Sequence, residues 1–261
     1  MSGLKKFTKL LSLLSLTTML SLALHSAHAQ VDDSLKTKDV ILVHGAWADG
    51  SSWSKVIPLL EKKGFHVTAV QLPLTSIADD VATVKRAIAL DPGPVLLVAH
   101  SYGGIVITEA GNDPKVTGLV YVSAYAPDAG QSALSLNALV PVTPVGAEIR
   151  QNAGFLSLTP EGIINDFAQD LPIWERQNLV VTQGPVAGIA FGTPAMTPAW
   201  KTKPSWYMIA SEDRVISPQL ETMMAQTINA ITVTVHSSHV IMLSKPEAVV
   251  DVITHAAHGR D

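Results

Sequence analysis

Six short, nearly continuous apolar runs punctuate the chain: Asp39–Val43, Val67–Val70, Val95–Ala99, Thr117–Val122, Ser205–Ala210 and Ile231–Val235. Runs this short, bounded by turn formers, are expected of strands buried on both faces. Between them lie stretches of helical periodicity. Trp53–Lys63 stops at Gly64, and Ile77–Leu90 sets Ile77, Val81, Val84 and Ile88 on one face with charged residues on the other. Ser101–Asn112 is apolar and small, while Pro218–Ile228 and Pro246–Ala257 open on a proline, whose missing N–H costs nothing in a first turn. This alternation predicts an α/β fold with a doubly wound, mostly parallel sheet. It breaks after the fourth predicted strand, from about Pro127 to Lys203, in a stretch too long for an ordinary connection. That stretch is expected to be a cap insertion over the C-terminal edge of the sheet, where open α/β sheets bind ligands.

The first 29 residues have a different pattern. Lys5, Lys6 and Lys9 precede a Leu-rich apolar run from Leu10 to Leu24, and Ala27-His28-Ala29 offers a small-x-small cleavage site before Gln30. This is the layout of a secretory signal peptide. The run is interrupted by Ser and Thr and is shorter than the ~20 residues of a spanning helix. Cleavage is therefore the expectation, with residues 30–261 forming one exported domain, periplasmic or secreted, without a stable membrane anchor. Excision removes three lysines and no acid, taking the formal charge from −4 to −7.

Composition narrows the function classes. Of the 261 residues 47% are hydrophobic and only 15% charged, which is globular and not disordered. There is no basic stripe, so nucleic acid is not an expected partner. The absence of cysteine excludes disulfides, a Cys nucleophile, thiolate metal sites and a lipid-modified cysteine. No metal or organic cofactor is implied.

Ala99-His100-Ser101-Tyr102-Gly103-Gly104 directly follows the third run and opens a helical segment. A serine on a sharp strand-to-helix turn is lifted clear of the sheet, and its neighbours two residues away on either side must be small. Ala99 and Gly103 meet that demand. The turn also sets a helix N-terminus under a developing oxyanion. Ser101 is the candidate nucleophile.

With this segment, Val43–Trp53 (VHGAWADGSSW), Ser211–Pro218 (SEDRVISP) and Ser237–Pro246 (SSHVIMLSKP) make the chain resemble the α/β-hydrolase superfamily. The likeness is to the small esterase-like branch that holds plant methylesterases, hydroxynitrile lyases and bacterial ester hydrolases. Two departures stand out: Ala99 where that family usually has Gly, and no β-hairpin ahead of Asp39, so the sheet is expected to start one or two strands short. The resemblance implies the chain order nucleophile, acid, histidine. It puts the base at His239, in the loop after the sixth run, with His236 as the rival. It puts the acid at Asp213, after the fifth run, with Asp128 as the rival. It assigns the oxyanion-hole N–H groups to Ala46 and Tyr102. The side chains of His44 and Trp47 are read as packing that holds their loop, and His100 as packing around the serine turn.

The resemblance further implies a serine esterase working through an acyl-enzyme. Ser101 disfavours dehalogenase and epoxide chemistry, which use Asp on this fold, and Val240 replaces the Lys that follows the histidine in hydroxynitrile lyases. Ligand sensing without turnover, and cofactor-free perhydrolase or haloperoxidase activity, stay open. Phe155, Leu156, Phe167, Leu171, Ile173, Trp174, Phe191 and Trp200 are candidate pocket walls. Few basic residues accompany them, so the expected substrate is a small, mainly apolar ester.

Overall fold

The computed structural model describes residues 35–259; the segment read as a signal peptide lies outside the described residues. Each apolar run forms a strand. The first half of the chain alternates β1 (Asp39–Val43), α1 (Ile57–Lys62), β2 (His66–Ala69), α2 (Ile77–Leu90), β3 (Val95–His100), α3 (Gly103–Ala110) and β4 (Val116–Val122). The intervening stretch supplies α4 (Ala133–Asn137), β5 (Ile149–Asn152), β6 (Phe155–Leu158), the short α5 (Pro160–Gly162), α6 (Ile173–Thr182), β7 (Val186–Ala187) and α7 (Gly188–Gly192). The alternation resumes with β8 (Ser205–Ala210), α8 (Pro218–Thr227), β9 (Ile231–Val235), α9 (Ile241–Ser244) and α10 (Pro246–His258).

Among the described residues the main sheet has six strands in the order β2-β1-β3-β4-β8-β9, all pairs parallel. This is the mostly parallel α/β sheet that the alternation predicts. The four central strands are buried almost throughout. The edges correct the expectation of two-sided burial: β2 alternates exposed with half-buried residues, and the middle of β9 is exposed. An edge strand has one neighbour and incomplete helix cover, and the Thr residues of ITVTV face water there.

Local chemistry sets the helix limits. Ser76 caps α2, accepting from the Asp79 N–H at 3.1 Å. Pro58, which cannot donate, breaks the expected Trp53–Lys63 helix into a 3-10 turn (Gly50–Trp53) and α1. The intervening stretch builds a separate antiparallel sheet, β5-β6-β7. Its β5–β6 hairpin turns on Ala153 and Gly154, with φ of 48° and 82°, the left-handed pair that two-residue hairpin loops require. The Ala187 N–H donates to the Leu74 carbonyl at 2.8 Å, tying β7 to the loop ahead of α2.

Candidate active site

Parallel strands bring their C-terminal ends to one edge. The loops after β1, β3, β8 and β9 gather there, carrying Ala46, Ser101, Asp213 and His239. Ser101 has φ 53°, a left-handed conformation that costs a non-glycine residue about 1–3 kcal/mol and persists only where its surroundings enforce it. The enforcement is steric. A Cβ on Gly103 would stand 2.6 Å from the His44 carbonyl oxygen, and one on Gly104 2.2 Å from that of Tyr125. Backbone therefore closes on the turn from two sides, and α3 begins at Gly103 rather than at Ser101.

His239 and Asp213 meet with Nδ1 2.5 Å from Oδ2, both side chains closed to solvent. The other carboxylate oxygen accepts from the Val215 and Ile216 N–H groups at 2.7 and 3.0 Å, an arrangement that favours the charged carboxylate. Nε2 of His239 is buried without a partner among the described residues. Bound at Nδ1 and bare at Nε2, the imidazole is poised to accept a proton. Phe167 packs against its ring at 5.3 Å between centroids. The His239 loop is held by Asp170, whose Oδ2 accepts from the Ser238 N–H at 2.9 Å.

The rival residues lie apart from this pair. His236 is exposed and sits 3.5 Å from Glu212. Asp128 is partly exposed and pairs with Lys201 at 2.5 Å.

Gly45 brings the first loop against the serine: a Cβ there would be 2.7 Å from the Ser101 Cβ. The loop is fastened by His44, which accepts from the Leu72 N–H at Nε2 (2.9 Å) and so carries its proton on Nδ1, donating to the Gly45 carbonyl (2.8 Å). Burial holds the His44 pKa below its ordinary value, so the ring stays neutral. Neither the Ala46 nor the Tyr102 N–H has a partner among the described residues. Both are the kind of free donor an oxyanion needs.

Ser101 lines a cavity of about 350 Å³ with no charged residue in its wall. Of the expected walls only Leu156 and Phe191 take part, joined by Trp47, Tyr125, Leu134, Val140, Val142, Val145, Ile149 and Val215. The other six are corrected. Phe167 and Leu171 are buried, Ile173 and Trp174 are exposed, Phe155 pairs with Ala187, and Trp200 donates to the Pro127 carbonyl. Several of the walls the sequence did not suggest, among them Val140, Val142 and Val215, lie in irregular segments, whose spacing carries no periodic signal.

Three further residues escaped the sequence reading. Asp80, expected on the solvent face of α2, is buried: it accepts from the Tyr102 hydroxyl at 2.6 Å and the Leu74 N–H at 2.9 Å. Its position three residues after Ile77 and four before Val84 was the available signal. His100 does more than fill space, its Nε2–H donating to the His239 carbonyl at 3.0 Å. Burial pushes the His100 pKa well below its ordinary value, with His239 adding to the effect. The third, Glu221, lies buried under the acid loop.

Residues 40–252 match the family model described as "Alpha/beta hydrolase family". The chain is 27% identical to the alpha/beta hydrolase nvfD of Aspergillus novofumigatus, over 84% of this chain and 96% of that protein. It is 28% identical to the pyrethroid hydrolase of Sphingobium wenxiniae, over 84% of this chain and 87% of that one. Among solved structures, polyneuridine aldehyde esterase superposes with a TM-score of 0.72 at 22% identity, over 83% of this chain and 98% of that one.

Proposed function

The chain belongs to the α/β-hydrolase family, and we propose that it hydrolyses a neutral, mainly apolar carboxylic ester, with Ser101 as nucleophile, His239 as base and Asp213 as its partner. The observations that support the reading are the closed His239–Asp213 pair, the packing of the His239 ring on His100 next to Ser101 at 4.5 Å between centroids, and the left-handed turn that sets Ser101 at an uncharged cavity.

A serine hydroxyl is barely ionised at neutral pH and needs a base. Nε2 of His239 takes the Ser101 proton as Oγ attacks the acyl carbon, and Asp213 stabilises the resulting imidazolium. The Ala46 and Tyr102 N–H groups receive the oxyanion. His239 then protonates the departing alcohol, and water repeats the sequence on the acyl-enzyme to release the acid. The names of relatives such as the carbendazim hydrolyzing esterase of Nocardioides and the methylesterases of Arabidopsis support ester chemistry.

The uncharged cavity wall supports a neutral substrate, because a buried ion without a partner pays its full desolvation cost. A series of p-nitrophenyl esters tests this. Neutral acyl chains of butyrate length and above should give higher kcat/KM than acetate, and a succinate half-ester should be turned over at least tenfold more slowly than its neutral methyl ester. Equal rates for the charged and neutral succinates would overturn the substrate reading. Export is likewise a proposal, resting on the N-terminal pattern. N-terminal sequencing of protein from the extracytoplasmic fraction should start at Gln30.

A further inference from the structure

Asp80 stands in the first turn of α2 with no surface open to solvent. Burying a carboxylate is costly unless its oxygens meet donors, and here each oxygen meets one. Oδ2 accepts from the Tyr102 hydroxyl at 2.6 Å, and Oδ1 accepts from the Leu74 N–H at 2.9 Å. The turn that carries it is itself well fixed. Ser76 caps α2 through the Asp79 N–H, and the Asp79 carboxylate accepts from the Thr75 and Ser76 hydroxyls at 2.8 and 2.7 Å. Asp80 is thus a rigid post with two arms.

The first arm runs to the residue after the candidate nucleophile. The His44 and Tyr125 carbonyls close on this turn at Gly103 and Gly104 and confine it from the backbone side. The Asp80 bond confines it from the side-chain side. The Tyr102 phenol is fully buried, tied at its far end to α2 and packed against the Phe191 ring at 5.7 Å between centroids. A left-handed Ser101 persists only where its surroundings enforce it, and a tether on the next residue resists its relaxation.

The second arm runs to the cap. Leu74 is also left-handed, with φ 55°. Its N–H is bound by Asp80, and its carbonyl accepts from the Ala187 N–H at 2.8 Å. Ala187 ends β7 and leads directly into α7, whose Gly188 and Phe191 line the cavity. One buried carboxylate therefore bears on Tyr102 and on a wall of the cavity at once.

We propose that Asp80 is a positioning residue: its bond to the Tyr102 hydroxyl aims the Tyr102 N–H at the oxyanion, and its bond to Leu74 holds the β7–α7 wall of the cavity in place. The first half rests on the reading of the Tyr102 N–H as an oxyanion donor in an ester hydrolase. The two arms separate in kinetics. Aim of the donor acts on the transition state and so on kcat, whereas placement of the wall acts on substrate binding and so on KM.

Tyr102→Phe cuts the first arm and spares the second. On p-nitrophenyl butyrate it should lower kcat roughly tenfold, with KM within about twofold of wild type. The Ki of an alkyl trifluoromethyl ketone, which binds as a tetrahedral oxyanion adduct, should rise by the same factor. Asp80→Ala cuts both arms, so kcat should fall as in Tyr102→Phe while KM rises at least about threefold. Asp80→Asn keeps an acceptor for Leu74 and gains an amide that can donate to the phenol oxygen, and should recover most of both losses. In Asp80→Ala/Tyr102→Phe the kcat losses should not multiply. Wild-type kcat and ketone affinity in Tyr102→Phe, or losses that multiply in the double variant, would overturn the first arm. Hydrogen exchange at the Leu74 and Ala187 amides reads the second arm without turnover: it should quicken in Asp80→Ala and not in Tyr102→Phe. Equal protection in both variants and wild type would overturn that arm. Should Asp80→Ala fail to fold, Ala187→Pro removes the cap's donor at a residue whose φ of −62° already suits proline. It should raise KM with kcat kept, and an unchanged KM would overturn the second arm. Failure of the esterase reading has a different signature: a wild type that the ketone does not inhibit, and Ser101→Ala fully active.

Discussion

His239 Nδ1 lies 2.5 Å from Asp213 Oδ2, and neither side chain reaches solvent. Charge that develops on this imidazole has one buried counter-ion at contact distance. The pair belongs to two loops that meet only because β8 and β9 are parallel neighbours.

His239→Ala should therefore lower kcat on p-nitrophenyl butyrate by at least 10⁴-fold, on the order expected for loss of a triad member. His236→Ala should stay within about twofold of wild type, because its ring is exposed beside Glu212. Steady-state kinetics of the two variants side by side checks this, and the reverse ranking would transfer the base to His236.

Asp213→Asn preserves shape and removes the charge that orients the imidazole. A fall of about 10⁴-fold in kcat is expected. Asp128→Asn loses only a half-exposed contact with Lys201, so its kcat should be unchanged. Comparable losses in the two variants would contradict the assignment of the acid.

Gly45 sits where a Cβ would press on Ser101 at 2.7 Å and on His100 Nδ1 at 3.0 Å. Gly45→Ala should push the first loop off the serine and misplace the Ala46 N–H. One lost oxyanion donor predicts a drop of roughly 10²–10³-fold in kcat with KM little changed. A KM effect alone would show that the loop binds substrate and leaves the oxyanion to other donors.

Much of the scaffold was legible in the sequence because buried parallel strands write themselves as apolar runs. Asp39–Val43 and Ile77–Leu90 form elements with the expected ends. Legibility faded where burial depends on a partner remote in the chain. Asp80 and Glu221 look like surface charges in one dimension, and their partners Tyr102 and Ala210 lie 22 and 11 positions away. β5 is exposed at every residue, and Val140, Val142 and Val215 line the cavity from irregular backbone, so no periodicity announces either. Ser101 is legible from the small residues around its strand-to-helix turn, whereas Asp213 and His239 are legible only because the short motifs around them resemble a family, not because spacing alone could bring them together.

His100 links the site to acid stability. Its folded-state pKa lies well below the ordinary value, so the native ring stays neutral while the unfolded one takes up a proton below about pH 6.5. Below that pH the unfolded state binds more protons, and stability falls as pH falls. Relative to His100→Gln, which can still donate to the His239 carbonyl, wild type should lose about 1.4 kcal/mol per pH unit between pH 6 and 5. Urea midpoints of both proteins at pH 7.5, 6 and 5 measure the difference. Curves that run parallel would show that the folded His100 titrates normally.

The central claim is that Ser101 attacks the substrate. Fluorophosphonate labelling of the wild-type protein and of Ser101→Ala, read by peptide mass spectrometry alongside p-nitrophenyl butyrate turnover, tests it most directly. The account predicts a single adduct on the Ser101 peptide, no adduct in the variant, and a loss of roughly 10⁴–10⁶-fold in kcat. An unlabelled Ser101, or a variant that turns over at the wild-type rate, would contradict it.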